Sequence, residues 1–173
     1  MNMDDCDGVI WFDGEFIPWK DAKVHVLTHT LHYGMGVFEG IRAYKTDKGT
    51  SIFRLDDHIN RLFASAHILN MPMPFDKKTI VKACAEVVKK NSLETAYIRP
   101  MCFYGAEGMG LRADNLKTHV MIAAWASGSY LCSEALEKGI VMRYLMGAGH
   151  LAIGVILYLA RISIKSGAQR LLL

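Results

Sequence analysis

Residues 37–44 alternate in character with a period of two: Val37, Glu39, Ile41 and Ala43 on one set, Phe38, Gly40, Arg42 and Tyr44 on the other. That period belongs to an extended strand, whose successive side chains point to opposite faces. One face then presents an aromatic ring, a bare backbone position, a guanidinium and a phenol, more polarity than a buried strand needs. Gly34, Gly36 and Gly40 all cost conformational entropy on folding. Glycine in an extended segment marks a bulge or a place where a ligand comes close to the backbone. The segment LHYGMGVFEGIRAY, residues 31–44, therefore reads either as an amphipathic strand with a glycine-rich lead-in or as a strand carrying a binding face.

A second segment bears on that choice. In AYIRP, residues 96–100, Tyr97 and Arg99 stand two apart and so share a face if the segment is a strand. A phenol beside a planar, permanently charged guanidinium suits a carboxylate, because the guanidinium can grip both oxygens at once. A surface tyrosine and arginine on an edge strand near Pro100 would look the same in isolation.

The flanking chain supplies hairpins and two helices. VIWF-DG-EFIPW, residues 9–19, is a hairpin with Asp13-Gly14 as its primed turn. Strand 37–45 leads through a longer loop, residues 46–49, into strand 51–54. Asp56 and Asp57 fit an N-cap and first turn, with Ile59, Leu62, Phe63, Ala66 and Leu69 following at helical spacing until Pro72 and Pro74. Asp76 can cap a second helix whose Ile80, Cys84, Val87 and Val88 share a face, with Lys89 and Lys90 at its C-terminal end. Strands are expected at 96–104 and 118–125. The fold class is α+β: a small N-terminal domain, residues 1–125, with an antiparallel sheet and two helices. Residues 126–136, small and polar, form an inter-domain linker, and residues 137–173 the start of a second, incomplete domain.

Composition narrows the functional classes. Charged residues are 21% of the chain and the net charge is only +3, with the basic side chains scattered, so nucleic acid is not an expected partner. Cys6, Cys84, Cys102 and Cys132 are far apart, without metal-ligand spacing, and read as reduced thiols. The apolar run 151–160 is about half as long as a membrane helix requires. A cytoplasmic protein without a membrane segment is the expectation.

Taken together, WFDGEFIPWKDAKVHV, HYGMGVFEGIR, IFRLDDHINRL, AYIRP, GMGL and GSYL, in this order and spacing, resemble the branched-chain amino-acid aminotransferases, fold-type IV enzymes dependent on pyridoxal phosphate. The resemblance runs from Trp11 to about Gly139. It implies transfer of the amino group of leucine, isoleucine or valine to 2-oxoglutarate. It also implies that Tyr33, Phe38, Tyr97 and Arg99 line the substrate site, with Tyr33 and Arg99 receiving the distal carboxylate of glutamate and Tyr97 helping to hold the α-carboxylate. Tyr130 matches the linker tyrosine that closes over the site, and Arg61 the arginine that binds the cofactor phosphate. Leu111 matches a loop residue that enters the partner subunit's site, so a homodimer or larger homo-oligomer is implied.

The similarity fails after Gly139. Residues 142–161 resemble nothing in the family, and Lys165, in KSGAQ, is similar to the cofactor lysine motif but displaced by a few residues. Lys165 is thus a candidate catalytic lysine, with a solvated lysine as the equal alternative. The glutamate that partners the pyridinium nitrogen falls beyond position 173, so a fragment or frame-disturbed product with impaired activity is expected. Within the fold type the rivals are a D-amino-acid aminotransferase and aminodeoxychorismate lyase. Outside it, the rival is a non-catalytic domain that dimerises or binds small acids.

Overall fold

The computed structural model describes Met3, residues 6–112 and residues 114–126, all within one compact unit, Met1–Gly128. An antiparallel sheet of seven strands carries two long helices on one face. Its strands are β1 (Val9–Phe12), β2 (Glu15–Pro18), β3 (Gly36–Phe38), β4 (Ile41–Thr46), β5 (Gly49–Ile52), β6 (Ala96–Tyr104) and β7 (Thr118–Ala126). They lie in the order β2-β1-β7-β6-β4-β5, with β3 also paired to β6. The helices are α1 (His29–Tyr33), α2 (Leu55–Ile68) and α3 (Lys77–Lys90). The expected α+β domain with its antiparallel sheet and two helices is what forms. The linker beyond Ala126 and all of residues 137–173 lie outside the described residues.

Local chemistry accounts for most of the element boundaries. Asp13 and Gly14 take φ of 48° and 104°, and Phe12 pairs with Glu15, giving the two-residue primed turn. Asp76 caps α3, its Oδ1 accepting the Thr79 N–H at 2.7 Å. Replacing Asp76 by alanine orphans that donor and is expected to lower stability, measurable as a downward shift in urea midpoint with unchanged m-value. Three boundaries differ from expectation. The second hairpin turns over Asp47 and Lys48 alone, because Thr46 pairs directly with Gly49 and β5 ends at Ile52. The N-cap of α2 is Arg54, in the left-handed region at φ 46°, which places Asp56 and Asp57 in the first turn. Residues 29–33 form a helical turn closed by Gly34 at φ 69°, a piece too short to show helical periodicity in sequence.

The core follows the alternation. Val37, Ile41, Ala43, Ile98, Cys102, Val120 and Ile122 face Ile59, Leu62, Ala66, Ile80, Cys84, Val87 and Val88 of the helices. Burial pushes the thiols of Cys84 and Cys102 up to about 12, so both stay protonated, unreactive core residues. Cys6 is half-buried, and Cys132 lies outside the described residues. The strand expected over 37–45 is divided into β3 and β4 at Glu39 and Gly40, yet its register on β6 is continuous. Phe38 faces Met101, Ile41 faces Ile98, and between them the Glu39 N–H donates to the Pro100 carbonyl at 3.0 Å. That continuity decides which side chains share a face.

Candidate active site

Opposed residues of an antiparallel pair project to the same face. Phe38 opposite Met101, and Arg42 opposite Tyr97, therefore place Phe38, Tyr97 and Arg99 together on the face away from the helices. The guanidinium of Arg99 lies over the Phe38 ring, 4.2 Å from its centroid. It also donates from Nη2 to the Tyr97 hydroxyl at 2.8 Å. The Tyr97 ring is backed by Trp125, centroids 4.9 Å apart. Gly40 makes this arrangement possible, since a Cβ there would stand 2.3 Å from the Tyr97 hydroxyl oxygen. The glycine is required for close approach of a phenol.

Arg99 is held but not satisfied. Its Nε is buried and, among the described residues, has no hydrogen-bond partner. A buried charged donor left unpaired is costly, and an anion arriving beside it would recover that cost. The same side chain borders a hollow of about 700 Å³ together with Trp125, Trp19, Lys20 and Lys23. The surroundings are thus apolar, aromatic and cationic, a combination suited to a small acid with an aliphatic or acidic tail.

Arg61 belongs to the other face. Its Nε and Nη2 donate to the two oxygens of Glu39 at 2.6 and 2.5 Å, and His58 Nδ1 lies 2.9 Å from Glu39 Oε2. Glu39 is only 5% exposed. Burial alone would raise its carboxyl, but the hydrogen bonds and charge of Arg61 and His58 outweigh it and hold the group below the ordinary carboxylate range. Through its hydrogen bonds and charge the same contact raises Arg61. With Nε and Nη2 on Glu39, the guanidinium keeps its Nη1 edge for a further oxyanion. Phe38 and Glu39 are neighbours in sequence, so the Arg99 cluster and the Arg61 pair flank one short piece of backbone. Among the described residues, no strand pairs the outer edge of β3.

Tyr33 and Gly110, the neighbour of Leu111, meet a different side chain, His29. Tyr33, at the end of α1, packs its ring on His29 with centroids 4.4 Å apart. Leu111, 92% exposed, sits at the tip of the β6–β7 loop beside Gly110, whose carbonyl meets His29 Nε2 at 2.8 Å. Phe38, Tyr97 and Arg99 are brought together; Tyr33 packs on His29, which also meets the Gly110 carbonyl next to Leu111. Tyr130 and Lys165 lie outside the described residues. Two residues of consequence escaped the reading of the sequence, Glu39 and His29. Glu39 did leave a signal, a carboxylate in the otherwise apolar series Val37, Ile41, Ala43. His29 left none.

A sequence profile of the family Amino-transferase class IV matches residues 36–152. The branched-chain-amino-acid aminotransferase of Pseudomonas aeruginosa is 62% identical over 143 residues, which are 83% of this chain and 47% of that protein. Among solved structures, the Escherichia coli branched-chain amino acid aminotransferase superposes with a TM-score of 0.73 at 48% identity, over 78% of this chain and 45% of that one. The branched-chain amino acid aminotransferase of Thermobaculum terrenum, solved in its PLP-form, gives a TM-score of 0.64 at 28% identity, covering 76% of this chain and 42% of that one. The chain spans about half the length of the curated relatives it matches. With the profile covering more than half of its residues, the chain belongs to the class IV aminotransferase family.

Proposed function

We propose that this chain carries the substrate-recognition half of a branched-chain amino-acid transaminase, exchanging an amino group between leucine, isoleucine or valine and 2-oxoglutarate. The observation that carries the reading is Arg99, clamped between the Phe38 ring and the Tyr97 hydroxyl with its buried Nε unpaired. Phe38 gives the aliphatic side chains an apolar wall. The same place accepts the distal carboxylate of glutamate because the guanidinium of Arg99 lies alongside that wall. Tyr97, whose hydroxyl already accepts from Arg99, can turn its own proton toward the α-carboxylate.

The cofactor consistent with this reading is pyridoxal phosphate, and the donor set fits it: Arg61 offers a free guanidinium edge and Glu39 fixes its plane. Such a fixed planar cation suits a phosphate oxygen. Bound there, the cofactor supplies an electron sink for the pair left at the substrate Cα when its proton departs. Lys165 is the proposed proton carrier, taking that proton on Nζ in one half of the exchange and supplying a proton to the Cα of the amino acid formed in the other half. Tyr130 is proposed to close over the site. Leu111, exposed at its loop tip, is proposed to reach a second copy of the chain, which makes a homodimer or larger assembly the working unit.

The test joins this chain to the second half of the Pseudomonas aeruginosa relative and measures steady-state rates with L-leucine, D-alanine and aminodeoxychorismate. L-Leucine is expected to be turned over fastest, and faster turnover of either rival substrate would sink the assignment.

A further inference from the structure

From the contacts of one buried imidazole we infer that His29 is a positioning residue for the reaction, holding the Tyr33 ring and the Leu111 loop tip in fixed relation. The inference rests on the proposed transaminase reading, in which Tyr33 contacts substrate, as the resemblance implies, and Leu111 reaches the site of a second copy of the chain.

His29 is 1% exposed, at the start of a five-residue helical turn that is itself half on the surface. Four contacts meet on it. Its backbone N–H donates to the Gly105 carbonyl at 2.8 Å, at the root of the β6–β7 loop. Its Nε2 lies 2.8 Å from the Gly110 carbonyl, at the tip of that loop. Its ring packs on Tyr33 at 4.4 Å and meets Tyr104 edge-on at 6.1 Å. A carbonyl can only accept, so Nε2 carries the proton and the ring is held as that tautomer. In the neutral ring the other nitrogen, Nδ1, is then an acceptor, and among the described residues it is buried without a partner.

A residue that merely filled this space would be better as leucine, which leaves no buried nitrogen unpaired. The imidazole brings what leucine lacks, a donor aimed at Gly110 and a flat face for Tyr33. The base of the loop is secured independently. The Gly105 N–H donates to the Lys117 carbonyl at 2.9 Å, the Lys117 N–H to Glu107 at 3.1 Å, and Asp13 receives His119 Nδ1 at 2.6 Å. Among the described residues, the hydrogen bond that reaches the tip from outside the loop is the one from His29. Removing it frees the tip while leaving the base anchored, and frees Tyr33 in the same step.

The experiment compares His29→Leu and His29→Gln in the full 173-residue chain. Trypsin reports the tip through cleavage after Arg112, and cleavage after Lys48, in the distant β4–β5 turn, is the internal standard. Loss of one net hydrogen bond should raise local opening by roughly five- to tenfold. We expect His29→Leu to raise the Arg112-to-Lys48 cleavage ratio by about that factor and to move the Tyr33 ring resonances. Glutamine, whose side-chain N–H can reach the same carbonyl, should restore the ratio. An unchanged ratio, cleavage rising equally at both sites, or no rescue by glutamine overturns the tie. Should His29→Leu not fold, the imidazole nitrogen spectrum of the unaltered chain still decides, since an Nδ1–H tautomer contradicts the Gly110 bond. Titration with 4-methylvalerate separates the two layers. Tyr33 resonances that respond to the acid, several-fold more weakly in His29→Leu, support the substrate role. A wild-type chain whose Tyr33 ignores the acid but whose loop still depends on His29 overturns the inference through the proposed function, not through the tie.

Discussion

Arg99→Ala is expected to reduce kcat/KM for glutamate by about one to two powers of ten more than kcat/KM for leucine. Both substrates carry an α-carboxylate, and glutamate alone brings a second one. A hydrogen bond to a charged group contributes roughly 1.5–3 kcal/mol, and each 1.4 kcal/mol is about tenfold in rate. The unpaired Nε and the Tyr97-bound Nη2 mean the guanidinium is already oriented, so little ordering is lost when the carboxylate arrives. Arg99→Lys should recover only part of the loss, because an ammonium can neither stack flat on Phe38 nor offer two parallel donors. The measurement is steady-state kinetics with both amino donors, in the chain joined to the second half of a relative. Equal losses for glutamate and leucine would mean that Arg99 serves the α-carboxylate or the fold.

That prediction rests on a geometry the sequence largely discloses. The alternation through residues 37–44 tells which residues share a face, and the structure keeps it: Val37, Glu39, Ile41 and Ala43 are buried while Phe38 and Tyr44 are exposed. The two-residue spacing of Tyr97 and Arg99 puts them beside Phe38 once β6 pairs with β3 and β4. Pairing partners are not local, however, and that is where reading stops. Nothing in residues 29–33 announces a helical turn, and nothing in the loop sequence says that Gly110 will lie against His29. Arg61 illustrates the same limit. Its helix and exposed position are readable, but its bond to Glu39, 22 residues away in sequence, is a consequence of α2 crossing β3. The carboxylate of Glu39 stands in the sequence as an exception to an apolar pattern, and a buried polar group is the informative exception.

The Arg61–Glu39 pair gives the largest expected effect on the domain itself. Glu39→Gln keeps the shape and removes the charge, leaving an amide against Arg61 and His58 in a position only 5% exposed. A charge-assisted hydrogen bond contributes roughly 1.5–3 kcal/mol, so a loss of stability near the middle of that range is expected at pH 7. Its pH dependence follows from the direction of the carboxyl's shift. Glu39 titrates below its ordinary value of 4.5 when folded and at about that value when unfolded. Its contribution is therefore fully present above 4.5, declines as the pH falls through the folded value, and is absent once both states are protonated. Wild type and Glu39→Gln should accordingly differ most near neutrality and converge in acid. Urea unfolding followed by tryptophan fluorescence, repeated from pH 7 down to about 3, measures this difference directly. A gap that persists unchanged at the acid end would show that glutamine perturbs packing instead, and that the carboxylate's pairing with Arg61 is not the source of the stability.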